Sequence, residues 1–173
     1  EAAVARAASG QHREIVVEHM LWEMLEPKTG DCARILHHFE INRPRLIDQL
    51  ERTLQSYPAN STGRPVFSRS LFQWFEDSWL TASLNYGYTS LRSGILFFQL
   101  LRDMSAYTAE SFPELDGISL ETVAKDLDII VTGSPEEMES APSVSGEPAE
   151  GAPRKGTSAL EKFTESITDK ARE

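Results

Sequence analysis

The chain has 173 residues, 40% of them hydrophobic and 25% charged, with 27 acidic and 17 basic side chains and a formal net charge of −10. That is an ordinary globular composition with room for one sizeable core. The acidity argues against nucleic acid or an anionic membrane surface as partner, since phosphates are held by clustered Lys and Arg. The longest aliphatic or aromatic run, Ile95 to Phe98, falls far short of the roughly 20 residues a membrane-spanning helix needs.

Taken in order, Glu1 to Ser9 is rich in Ala and Arg and reads as helix, ended by Gly10. Val17 to Glu26 carries Leu21, Met24 and Leu25 at helical spacing, and Pro27 and Gly30 close it. Asp31 is the expected N-cap of Cys32 to Phe39, whose core face is Ile35, Leu36 and Phe39. Asn42 caps a fourth helix with Pro44 in its first turn and an apolar stripe of Leu46, Ile47, Leu50 and Leu54. Tyr57 to Phe67 has the composition of a loop.

Ser68 then caps a long helix, Arg69 to Tyr86, for which Leu71, Phe72, Phe75, Trp79, Ala82 and Tyr86 form the expected packing face. Trp74 is its expected exposed ring. Gly87 ends that helix, Ser93 to Arg102 forms the next, and Ser105 to Glu114 a weaker one stopped at Pro113. Ser119 caps Leu120 to Asp128, with Leu120, Val123, Ala124 and Leu127 expected inside.

These segments repeat. At an offset of about 76 residues Leu21 matches Phe97, Trp22 matches Phe98, Met24 matches Leu100 and Leu25 matches Leu101. Ile41-Asn42 with Leu46 and Leu50 likewise matches Ile118-Ser119 with Val123 and Leu127. The expected fold is therefore all-α, a pseudo-twofold duplication of a four-helix unit over residues 1–131. Its first helix would be truncated to about half of its counterpart. Residues 132–157, rich in Pro, Gly and Glu, read as a flexible acidic tether. In residues 158–173, Leu160, Phe163 and Ile167 mark one amphipathic helix that needs a body to pack on.

Catalytic chemistry finds no foothold. Cys32 with His37 and His38 has the elements of a metal site, but adjacent helical histidines point about 100° apart and there is no second Cys. His19, beside the apolar face of its helix, is expected to bond to loop backbone, with no nucleophile to serve as general base. Glu76 and Asp77 diverge in the same way. Gly151 to Thr157 lacks both the Lys and the preceding strand of a phosphate loop. No catalytic, cofactor-binding or metal-ligating residue is expected.

Val17 to Leu25, the Ile41-Asn42 helix start with Pro44 and Leu46, and Arg92-Ser93-Gly94-Ile95-Leu96 together resemble the Clp N-terminal domain family. Ala159 to Arg172 resembles the helix that opens the first ATPase module in those proteins. Arg64 to Ser68, Trp79 to Leu84 and Leu91 to Gly94 are most similar to the ClpV branch, the type VI secretion ATPases that strip a contracted sheath. Ile95 departs from a frequent His, and Phe97-Phe98 from small or Leu residues.

The resemblance implies a non-catalytic recognition domain of a bacterial cytoplasmic, hexameric AAA+ ATPase, with ATP and magnesium confined to modules this chain lacks. It also implies a protein partner, the large sheath subunit, whose helical segment enters a groove around the N-terminal helices. Ala2, Ala5, Arg6, Ala8 and Ser9 suit that groove, because small side chains leave room for a partner helix. Helix propensity or close internal packing accounts for the same alanines. The alternative on this fold is an adaptor- or aggregate-binding domain of a general Clp disaggregase or unfoldase. A free-standing small-molecule or enzymatic domain would leave the terminal helix unexplained.

Overall fold

The computed structural model describes residues 1–140. Its elements run α1 (Ala2–Ser9), β1 (Glu14–Ile15), α2 (Val17–Leu25), α3 (Asp31–His38), α4 (Arg43–Ser56), β2 (Val66–Phe67) and α5 (Arg69–Asn85). They continue with α6 (Ser93–Arg102), α7 (Met104–Tyr107), a 3-10 turn at Pro113–Leu115, α8 (Leu120–Val131) and α9 (Pro135–Ser140). Three helices start where a side-chain oxygen takes an orphan backbone N–H. Asn42 accepts from Arg45 at 3.1 Å, Ser68 from Leu71 at 3.2 Å and Ser119 from Thr122 at 3.3 Å.

The two halves share their core plan. Val17, Leu21 and Leu25 of α2 are buried, as are Ile95, Phe97 and Leu100 of α6, and both helices pack on a later one through Leu46 and Leu50 or Val123 and Leu127. Each such side chain contributes about 1.5–3 kcal/mol. Ile95 and Phe97 thus fill the interior. A short parallel ladder, Glu14 with Val66 and Ile15 with Phe67, ties the entrance of α2 to that of α5; the loop composition of residues 57–67 concealed it.

A polar joint seals α3 against α6. Arg92 donates two hydrogen bonds to Asp31, both 2.9 Å, and the pair is buried. A Cβ on Gly94 would lie 2.9 Å from that of Asp31, so the close approach requires glycine there. Asp31 is consequently not the N-cap of α3. Gly30 holds that place at φ +131°, and the Glu136 carboxylate accepts from Asp31 N–H at 2.9 Å.

Four other expectations are corrected. On α5 the inward residues are Leu71, Trp74, Ser78, Thr81 and Ala82; Trp74 is 0% exposed and gives its Nε1 proton to Leu96 O, whereas Trp79 is 44% exposed and Phe72 also faces out. The interior accepts Thr81 because its hydroxyl donates to Gln99 Oε1. Leu120 and Ala124 of α8 are exposed, and Ile130 and Val131 are buried instead, since that helix runs past Asp128. The weak helix expected over residues 105–114 is split into α7 and the 3-10 turn, with Pro113 opening the turn. The tether does not begin at residue 132: α9 folds back because Glu136 bonds to Ser93 N–H and Oγ as well as to Asp31 N–H. The remaining tether and the terminal helix of residues 158–173 lie outside the described residues.

Candidate docking cleft beside the first helix

Ala3 and Ala7 turn α1 toward the core, and Ala7 is completely buried. Ala2, Ala5, Ala8 and Ser9 are consequently exposed on its other side, with Arg6 at the boundary. The helix stops where Gly10 N–H bonds to Arg6 O and His12 N–H to Ala7 O. A side chain at position 10 would strike the His12 ring at 2.7 Å.

Ala2, Ala5, Arg6 and Ser9 line one cleft of about 830 Å³ together with His12, Glu23 of α2 and Glu51, Leu54 and Gln55 of α4. Ala8 is exposed but is not part of this lining. The α4 wall was missed by sequence reasoning. Leu54 looked like the end of a core stripe, and nothing local to α4 announces that α1 lies opposite.

The cleft has a fixed polar rim. Arg6 Nε donates to Glu23 Oε1 at 2.7 Å, and its guanidinium lies over the Trp22 ring at 3.1 Å from the centroid. The ion pair is partly solvated and contributes at most about 1 kcal/mol, but the two contacts together hold the side chain in one place. Glu51 stands exposed on the α4 side. A trough with small residues at its base and opposite charges on its walls suits a short amphipathic helix, whose diameter is about 10–12 Å.

Behind the cleft lies a buried histidine pair. Val16 N–H donates to His19 Nδ1 at 3.1 Å, and His19 Nε2 lies 2.8 Å from His12 Nδ1. With Nδ1 of His19 accepting, its neutral ring carries the proton on Nε2 and donates to His12. Burial, and then His12, push the His19 pKa down to about 4. Glu18, also buried, accepts from Tyr57 Oη and Ala109 N–H, both at 3.2 Å; burial raises its carboxyl pKa. These groups order the start of α2.

Cys32 donates from Sγ to Ser93 O at 3.4 Å and is buried, which pushes its thiol pKa up, while His37 and His38 are exposed. No metal-holding group of three or more His, Cys, Asp or Glu side chains occurs among the described residues. No helix among them is long and apolar enough to cross a membrane.

Residues 1–115 match the family described as the Clp repeat (R) N-terminal domain. Chaperone protein ClpB of Yersinia enterocolitica is 28% identical over 165 residues, covering 90% of this chain and 18% of that protein. The N-domain of ClpV from Vibrio cholerae superposes with a TM-score of 0.71 at 26% identity, covering 78% of this chain and 81% of that one. A complex of a ClpV N-domain with VipB peptide gives 0.67 at 26% identity, with 78% and 82% covered. The chain spans 18% of the length of the curated relatives it matches.

Proposed function

Because this chain belongs to the Clp repeat (R) N-terminal domain family, we propose that it is the substrate-recognition domain of a ClpV-like type VI secretion ATPase working in the bacterial cytoplasm. The observation that carries this reading is the α1–α4 cleft on a fold similar to a ClpV N-domain that takes a VipB peptide. In this reading a helical segment of the sheath subunit lies in the trough, its small or apolar side chains over Ala2, Ala5 and Leu54. Arg6 and Glu51 then fix its direction through opposite charges on the segment.

The domain performs no chemistry. It captures, and the ATPase modules of the parent protein supply the force. Each apolar anchor that the cleft buries contributes about 1.5–3 kcal/mol before ordering costs, so a single domain binds weakly. A hexameric parent would convert several such contacts into effective capture through high local concentration.

The test is a titration of the chain with a peptide from the N-terminal region of the cognate large sheath subunit, read by calorimetry. Saturable binding is expected. Ala5→Leu, which fills the trough, should weaken it about tenfold or more, and Ala8→Leu, outside the trough, should leave it unchanged. No binding by the folded chain overturns the sheath reading.

A second reading, an adaptor- or aggregate-binding domain of a general Clp disaggregase, is favoured by the similarity to ClpB. It expects the chain to bind a denatured model protein and to ignore the sheath peptide.

A further inference from the structure

A second cleft, of about 670 Å³, lies between α3 and the α8–α9 corner and shares no lining residue with the first. Its chemistry is opposite to that of the chain. In a protein of net charge −10, the lining holds Lys28, Arg34, Arg43, His37 and His38 and no carboxylate.

The acids beside the cleft are held by backbone and hydroxyl donors. Glu136 accepts from Asp31 N–H, Ser93 N–H and Ser93 Oγ, and Glu137 accepts from Gly133 N–H at 2.6 Å. Ion pairs join Arg6 to Glu23 and Arg92 to Asp31, and Lys28, Arg34 and Arg43 form none among the described residues. The two arginines are nonetheless held in place. Arg34 Nη2 donates to Gly133 O at 2.7 Å, while Arg43 donates from Nε to Leu25 O at 2.5 Å and from Nη2 to Glu26 O. A guanidinium has five N–H donors, so each fork keeps donors for a further acceptor. Backbone carbonyls position the arginines without cancelling their charge.

The floor decides what kind of anion fits. Leu36 and Ile130 are buried beneath the cations, and Ile41 is partly buried beside them. A bare inorganic anion would leave the exposed part of Ile41 wet, whereas a peptide can cover it with a side chain.

We propose that the α3–α8 cleft is a second docking site, for an acidic peptide segment: one apolar side chain rests on Ile41, and flanking Asp or Glu carboxylates reach Lys28, Arg34 and Arg43. Separation from the α1 cleft makes this site independent of the sheath reading. It gives the domain a place for an acidic partner while the first trough is occupied.

The test uses the whole chain and a labelled synthetic peptide of Glu pairs alternating with Leu, beside its Lys-for-Glu counterpart, followed by fluorescence anisotropy. The acidic peptide should bind and the basic one should not, and added salt should weaken the complex, as for any partly exposed charge contact. Lys28→Glu with His37→Glu changes two exposed side chains that make no hydrogen bond in the structure. That double variant should bind about tenfold more weakly with an unchanged melting temperature, while Ala5→Leu should bind as the parent does.

Equal binding of both peptides would overturn the proposal, as would a double variant that binds like the parent. Full displacement by inorganic phosphate at the peptide's own concentration would also overturn it, since that marks a site for simple anions.

Discussion

Helices α1 and α5 open the two halves of the molecule and share an inner face while differing on the outer one. Ala3 and Ala7 are buried in α1, and Ser78 and Ala82 are buried with the same spacing in α5. Superposed on those pairs, Val4, Ala5 and Ser9 fall where Trp79, Leu80 and Leu84 fall, and Leu84 is 78% exposed. The inner positions must keep small side chains because another helix lies against them. Outer positions carry no such constraint, and there one copy presents a trough and the other a bulky apolar surface. Surface chemistry diverges where packing does not forbid it.

The sharpest way to break this comparison is along α5 itself. Trp74→Ala should cost about 3–5 kcal/mol in urea unfolding, because it removes a buried ring and its bond to Leu96 O. Trp79→Ala, on the outer face of the same helix, should shift stability by about 0.5 kcal/mol or less. Next comes α1. Ala7→Leu overpacks the inner face and should cost about 1–3 kcal/mol, and Ala5→Leu on the outer face should leave the melting temperature nearly unchanged.

The smallest effect separates the starts of α2 and α6, where Glu18 and His19 of the first half stand in the places of Gly94 and Ile95 in the second. His19 titrates near 4 when folded, against 6.5 as a free side chain. The unfolded chain therefore binds its proton first, and the stability this group contributes is complete above about pH 6.5 and is lost as pH falls toward 4. Glu18 acts in the opposite sense, since its raised folded pKa makes the native state hold a proton more tightly as pH falls. Removing one group isolates it. The stability difference between the parent and His19→Gln should be largest at neutral pH and should shrink toward pH 4, whereas Ile95→Val should give a difference independent of pH.

Much of the fold is legible in local signals. Asn42, Ser68 and Ser119 each cap the helix that their side-chain chemistry suggests, and the matching α2 and α6 sequences announce the pairing of the halves. The inner face of α5 was not legible, because apolar residues encircle that helix and two of its buried positions, Ser78 and Thr81, are polar. Composition also concealed α9. Pro, Glu and Ser read as tether, and only the tertiary fold brings backbone N–H groups of Asp31 and Ser93 within reach of Glu136. The cleft was half legible for the same reason: Ala2, Ala5, Arg6 and Ser9 are neighbours on one helix, while Glu51, Leu54 and Gln55 join them only through folding.

The Glu136 clasp has a mechanical meaning. Its carboxylate grips the first turns of α3 and α6 at once, one helix from each half. Tension applied at Ser140 is therefore split across two helix starts loaded in parallel, and α8 is spared from being peeled away turn by turn. Bonds strained together resist until they fail together, so a pull on this end meets a rivet and not a zipper.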